Sequence, residues 1–419
     1  RRELPPVTTV KATTKTTNKT TNKSETPTAN QSKGNDKEEY ISKYRRLEIY
    51  LNERYDFRYN DLSKEVEYKP KGSKAFDILN ENDLIREVLL HGFKGVKTYL
   101  ELLMGSSFVE KYDPIINYCK ELEPWTESEG DHITNLANYV KAKDQHWFNS
   151  QFKKMLVRTL ACGLGYIPFN KQCFSLYGSQ NDGKSSFIRF LCPPALQDFY
   201  SEDIDFQSKD GLIALASNFI INLDELDSLQ RKEITSVKKF MSTSKIKARP
   251  PFGKRAVPMV RRVSFLATTN EGEFLTDTTG NVRWLVMEIK GIQHDNGKKN
   301  GYNKNIDINR VWAQAYGLLK SGFDFKMTVE EIQQSEMNNR GHQVKTREME
   351  LLQQYCSVSK INEGVFMTTT NITEYLQSKT AIKINHYKVG PALRFLNFKP
   401  KSGRINGSVR KGYYVTKND

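Results

Sequence analysis

The segment Gly178-Ser-Gln-Asn-Asp-Gly-Lys-Ser185 constrains this chain more than any other. It satisfies G-x-x-x-x-G-K-[ST] and lies between the apolar run Cys173 to Tyr177 and the apolar-periodic Phe187, Ile188 and Leu191, so the order reads strand, loop, helix. Gly178 and Gly183 let the backbone curl until successive N–H groups face one point, and the helix start adds the positive end of its dipole. A triphosphate fits such a curl. Gly178, Ser179, Gln180, Asn181, Asp182, Gly183, Lys184, Ser185 and Ser186 are the expected contacts, with Lys184 on the β and γ oxygens and Ser185 on Mg²⁺, so the cofactors expected are ATP and Mg²⁺. Buried runs at Phe219 to Leu223, Val263 to Ala267 and Trp284 to Ile289 complete the pattern of an α/β sheet.

A triphosphate-cleaving loop needs a carboxylate at the end of a neighbouring strand. Phe219-Ile-Ile-Asn-Leu-Asp224-Glu225 supplies two acids: Asp224 to organise the metal shell, Glu225 to polarise an attacking water. Asn270, closing Val263 to Asn270, could orient that water; a turn-forming Asn is the plainer reading. Arg283, just before the last strand, suits stabilisation of the transferring phosphoryl group from an adjacent subunit, with Arg261 and Arg262 as competitors.

The rest of the composition points to a polyanion. The 419 residues carry 64 Lys+Arg against 49 Asp+Glu, a net charge of +15. Between Lys238 and Arg262 stand nine basic residues and no acid, with Pro250-Pro-Phe-Gly253 reading as a tight turn, so Lys245, Lys247, Arg249, Lys254 and Arg255 belong to a basic hairpin rooted between the Asp224 and Asn270 strands. A second acid-free stretch from Lys383 to Lys417 reads helix then Gly-punctuated hairpin, the order of a winged helix, with Lys388 and Arg394 on or near the recognition helix and Arg404, Arg410 and Lys411 on the wing. A winged helix used for protein contact is the alternative. No run of 18 apolar residues offers a membrane span, and five scattered cysteines suit a reducing cytoplasm. The six histidines show no ligand spacing. Five segments follow: a Thr/Lys/Asn-rich disordered linker (1–40), a mostly helical N-terminal region (41–145), an ATPase domain (146–325), a helical connector (326–344) and the winged-helix domain (345–419). Arg1 in place of a methionine suggests a part of a longer polypeptide.

Together, Gly178 to Ser185, Asn222-Leu-Asp-Glu225, Ala267-Thr-Thr-Asn270 and Phe274-Leu-Thr-Asp-Thr-Thr-Gly-Asn-Val-Arg283-Trp resemble the virulence-associated protein E family, P-loop proteins of bacterial phages and mobile elements. The similarity covers most of residues 41 to 325. Phe57-Arg-Tyr-Asn and Asn117 to Trp125 also look like its members in Bacteroides-type bacteria. The resemblance implies a P-loop NTPase core of the AAA+ and superfamily 3 helicase kind, working as a hexameric DNA helicase in replication, often fused to an upstream primase-like domain. Lys184, Ser185, Asp224, Glu225 and Asn270 match the nucleotide motifs, while the family's Arg-Arg pair stands here as Val282-Arg283. The reading preferred from sequence is an ATP-driven DNA translocase on single-stranded or forked DNA. An ATP-switched DNA-binding regulator or initiator competes with it, and an RNA-directed or protein-remodelling ATPase is a poorer third.

Overall fold

The computed structural model describes residues 42–226, 231–249, 255–275, 281–295, 300–360, 363–405 and 407–418. The expected 1–40 linker and Lys254 lie outside them. Among the described residues the architecture is mixed α/β, and side chains gather into four hydrophobic cores.

The N-terminal unit is α1 (Lys43–Arg54), β1 (Tyr55–Asn60), β2 (Glu65–Pro70), β3 (Asp77–Ile78), α2 (Glu81–Leu90), α3 (Lys97–Met104) and β4 (Glu110–Tyr112), its strands ordered β3-β2-β1-β4. Leu47 and Leu51, one turn apart on α1, close a core with Leu84, Val88, Leu100 and Val109. A four-stranded sheet thus accompanies the helices expected here.

Next come α4 (Pro114–Glu121), α5 (His132–Ala137), β5 (Val140–Ala142) and α6 (Gln145–Gly163). Asp113 caps α4 by accepting from the N–H groups of Ile115 and Ile116, with Pro114 in the first turn where its missing N–H costs nothing. These elements pack on the following sheet: β5 pairs with its edge, and Ile115, Ile133 and Leu136 join its core, together with Leu62 from the turn between β1 and β2. Residues 114–142 thus share the core of the central sheet, because three residues of β5 complete an edge that chain order alone does not reveal.

The central layer contains β6 (Cys173–Tyr177), α7 (Lys184–Leu191), β7 (Tyr200–Ser201), α8 (Lys209–Ser217), β8 (Ile220–Leu223), α9 (Arg231–Ser242), β9 (Ile246–Ala248), β10 (Val257–Met259), β11 (Ser264–Thr269), β12 (Trp284–Ile292), α10 (Tyr302–Asn305) and α11 (Ile308–Lys320). The sheet runs β5-β12-β6-β11-β8-β7, parallel throughout except for β5. Helices cover both faces, so β8 and β11 are buried along their whole length and read as continuous apolar runs, not as an alternation. One face packs Phe174, Leu176 and Met287 against α6, α7 and α11; the other packs Phe265, Ile221 and Val286 against α8, α9 and the β9–β10 hairpin.

After α12 (Val329–Arg340), whose Asn339 amide donates to the Trp284 carbonyl at 2.7 Å, the chain forms a last unit with its own core. It contains α13 (Arg347–Tyr355), β13 (Cys356–Val358), β14 (Val365–Met367), α14 (Thr369–Ser378), α15 (His386–Phe395), β15 (Lys401–Ile405) and β16 (Ser408–Lys417). β15 and β16 form a hairpin turning at Gly407, where φ is +76°.

Arg261 and Arg262, competitors for a trans-acting role, are interior. Arg261 is 1% exposed; its guanidinium reaches the carbonyls of Phe240, Met241 and Thr243 at 2.8 Å and of Asn170 at 3.0 Å. Phe240 and Met241 lie in the last turn of α9 and Thr243 just follows it, where carbonyls lack an N–H partner within the helix. Arg262 donates to the Gly163 carbonyl and the Asp113 carboxylate, both at 2.6 Å. Arg261→Met keeps the stem but orphans buried carbonyls, and should lower stability in urea unfolding by about 3 kcal/mol. A loss below about 0.5 kcal/mol would show that water replaces the guanidinium there.

Candidate functional site

Because β6, β8 and β11 run parallel, their C-terminal ends share one edge: Thr269 is opposite Tyr177, and Ala267 opposite Leu223. Loops leaving such an edge form a crevice suited to a ligand. β11 lies between the strand that precedes the glycine loop and the strand that carries the acids, so its polar end enters the crevice between them.

The loop adopts the curl its glycines allow. Asn181 and Gly183 have φ of +67° and +82°, and Gly183 leads directly into α7. Lys184 is 6% exposed, and its ammonium donates to the carbonyls of Gly178 (3.0 Å) and Ser179 (2.6 Å) and to Asn270 Oδ1 (2.7 Å). Ser185 Oγ donates to Asp224 Oδ1 at 2.7 Å. Thr268 Oγ1 donates to that same oxygen and accepts from the Glu225 N–H at 3.3 Å. Glu225 itself sits at φ +51°, a left-handed conformation that turns its exposed side chain away from the line of β8.

These groups line a cleft of about 480 Å³ formed by Gln180 to Ser186, Asp224, Glu225, Thr268, Asn270, Gly291, Ile292 and His294. Gly178 and Ser179 lie beneath it, with their carbonyls on Lys184. Asp182 is half-buried and turns one carboxylate oxygen inward without a hydrogen-bond partner. The cleft continues past Ser186 and His294, which it shares with a second hollow walled by Phe190, Tyr302 and Ile308. A separate concavity of about 510 Å³ around Trp147, Tyr177, Glu288 and His342 holds none of the loop residues from Gly178 to Ser186 and neither acid, Asp224 or Glu225. The smaller cleft is the one with the chemistry.

Residues 121–344, more than half of the chain, match the model of the virulence-associated protein E-like domain. The chain belongs to this family. No curated protein matches it. Among solved structures it is similar to two apo structures of the NrS-1 C-terminal region, at TM-score 0.49 with 11% and 10% identity, each covering 88% of this chain and 98% of the other. It is also similar to a JCV helicase bound to a thiazolopyridinyl-phenoxy acetamide, at TM-score 0.29 and 11% identity over 50% of this chain and 59% of that one. At these scores the likenesses do not establish a common fold.

In this family member the loop residues, Asp224, Glu225 and Asn270 meet at one cleft, while Arg283 does not. It precedes β12 at the opposite edge of the sheet, where its Nε donates to Ser242 Oγ at 3.0 Å. The five paired positions from Trp284 to Glu288 put it about 15 Å from the loop edge, at roughly 3.3 Å per residue. It lies far from the glycine loop of its own chain.

The basic hairpin is β9–β10. Ile246, Ala248 and Met259 bury into the core beneath, and by alternation Lys247 faces outward with Lys245, Arg249 and Arg255 also exposed. In the last unit Arg394, Arg404, Arg410 and Lys411 are exposed and Lys388 is half-buried. Register places Arg410 opposite Gly403 on one face of the hairpin, whereas Arg404 and Lys411 occupy the other. Thr268 and His294 were not expected in the cleft. Thr268 stood in the polar ending of β11 with no role assigned to it; its role follows from strand order.

The two loop glycines differ in what an added methyl would meet. At Gly178 a Cβ would lie 2.8 Å from Ile289 Cγ1 and 3.1 Å from the Ile289 carbonyl oxygen; at Gly183 it would meet nothing within 4 Å, although φ is +82°. Gly178→Ala should therefore cost about 2–3 kcal/mol through overpacking, and Gly183→Ala only about 1 kcal/mol through backbone strain, in urea titrations. The reverse order would mean that the loop does not pack on β12 as described.

Proposed function

We propose that this chain is an ATP-hydrolysing DNA translocase of a phage or mobile element, acting in replication as a ring oligomer of hexamer type. The observation that supports it is the convergence of Lys184, Ser185, Asp224, Glu225, Thr268 and Asn270 at the ends of three adjacent parallel strands. That set has a cation for the phosphates, oxygen ligands for a hydrated metal and an exposed acid beyond them.

The residues fit Mg²⁺. Asp224 Oδ1 already takes the hydroxyls of Ser185 and Thr268, which fixes the carboxylate and leaves Oδ2 for a metal-bound water, and all the donors are hard oxygens. Mg²⁺ would be held by Ser185 and Asp224 and would neutralise charge on the β- and γ-phosphates. Lys184 exchanges its loop carbonyl and Asn270 partners for phosphate oxygens, which frees Asn270 to orient a water. Glu225, held by Thr268 through its backbone N–H, accepts that water's proton.

Arg283 then completes a neighbouring subunit's site, since it faces away from its own. A ring that presents each β9–β10 hairpin to its centre would grip a strand through Lys245, Lys247, Arg249, Lys254 and Arg255, largely without regard to sequence. The last unit, with α14 and α15 followed by the β15–β16 hairpin, is read as a winged helix that adds Lys388, Arg394, Arg404, Arg410 and Lys411 to the nucleic-acid contacts. An upstream primase domain or partner and a cytoplasmic setting accord with this reading. Among the described residues, no helix is long and apolar enough to cross a membrane.

ATP turnover with and without single-stranded DNA, and strand displacement on a fork, test the proposal. Wild type should be stimulated by DNA and separate the fork. Glu225→Gln should retain ATP but turn over at least about 100-fold more slowly. Thr268→Val should slow turnover by about tenfold with ATP retention unchanged, and Thr268→Ser should recover it. Lys247→Ala with Arg255→Ala should abolish DNA stimulation; stimulation that survives removes the hairpin from the grip. ATP hydrolysis without strand displacement would favour the ATP-switched regulator, and absence of ATP binding would end both readings.

The placement of Arg283 generates a mixing experiment. Arg283→Ala and Lys184→Ala chains, each inactive alone, should recover partial ATPase when combined, because a mixed interface can pair an intact loop with an intact arginine. Intact assembly with no recovery would remove Arg283 from this role.

A further inference from the structure

The last unit displays one aromatic ring whose exposure its fold does not explain. Tyr387 is 87% exposed, the highest among the exposed large hydrophobic residues described, while its neighbours Val389, Ala392 and Leu393 bury fully in the core of the unit. It stands in the first turn of α15, where its N–H donates to the Asn385 cap at 3.0 Å. Side chains lean toward the N-terminus of their helix, so the ring projects beyond the helix start. His386 meets it edge-on, with centroids 5.9 Å apart.

The chain around it is basic, with one buried acid nearby: the Glu348 carboxylate accepts from the Asn385 N–H at 3.2 Å. From Tyr375 to Asn418 there is no Asp or Glu, and Lys383, Lys388 and Arg394 lie before and along the same helix. Pro391 and Arg394 follow Tyr387 at one- and two-turn spacing, which extends a surface one helix face wide. A partner protein with an acidic patch would be attracted by the charge, but a flat, accessible ring among cations is the arrangement that takes an unpaired base: the ring stacks while the cations meet the phosphates on either side.

We infer that Tyr387 is a base-stacking platform and that this face of the last unit binds single-stranded polynucleotide, or the unpaired end of a fork, in preference to closed duplex. The inference rests on the nucleic-acid reading above and deepens it, since the basic side chains alone would not distinguish the two forms.

The full chain is tested with a fluorescein-labelled oligothymidylate, a blunt duplex of equal length, and an oligothymidylate carrying 5-iodouracil for photo-crosslinking. Crosslinking is expected on the peptide containing Tyr387. Tyr387→Ala should weaken oligothymidylate binding by about tenfold and duplex binding by less than about twofold, and Tyr387→Phe should behave as wild type. An abasic probe should bind wild type and Tyr387→Ala equally. Equal losses on both probes, a Phe variant as weak as Ala, or crosslinking confined to the β9–β10 hairpin would overturn the stacking role while leaving nucleic-acid binding intact. A change in assembly mass with no change in either probe would assign the ring to a protein contact instead. Wild type that binds neither probe overturns the underlying reading as well.

Discussion

The Asp224 carboxylate is the point at which three strands become one site. One of its oxygens takes a hydroxyl from the helix after β6 and another from β11, while its own strand is β8. Each bond contributes modestly in net terms, about 1–3 kcal/mol when one partner is charged. Their joint effect is geometric. The acid can face only the loop, and the Thr268 hydroxyl that pins it also takes the N–H of the next residue, so Glu225 is directed by the same contact. Parallel pairing makes this possible, because only strands running in one direction bring their polar ends to one edge.

The same sheet ties the cleft to the basic hairpin. The β9–β10 hairpin follows α9 and leads into β11, so it is inserted in the chain between the two strands whose ends carry Asp224 and Asn270. Arg261 closes the base of that excursion by capping α9 from the chain segment just ahead of β11. Burial pulls its guanidinium down to about 10, still charged at neutral pH, so the clamp persists although the desolvation is costly. Arg283, bonded to the last residue of α9, reaches the same place from β12. Under the proposed role in trans, Arg283 would have to release Ser242.

Much of the site was legible in sequence because its chemistry is local. The glycine loop, the acids after Phe219 to Leu223 and the Asn after Val263 to Thr269 each announce themselves by a polar residue that ends an apolar run. The basic hairpins were legible too, since Pro-Pro-Phe-Gly and the spaced glycines mark turns. Thr268 was not, because a buried strand residue has no pattern to betray which neighbour its hydroxyl meets. Arg261 and Arg262 looked the same as Arg283 in sequence; burial sets them apart, and burial is a property of what packs around a side chain.

The sequence by itself determined the elements: which runs are buried strands, where the glycine loop curls, and which stretches carry unopposed positive charge. Tertiary structure alone decided strand order, and with it that β11 separates the loop strand from the acid strand, that β5 belongs to the central sheet, and that Arg283 lies at the far edge. The physical reason is range. Periodicity, turn chemistry and helix capping act over a few residues, whereas strand neighbours are chosen by burying two apolar faces at once, a condition satisfied only by the assembled layers.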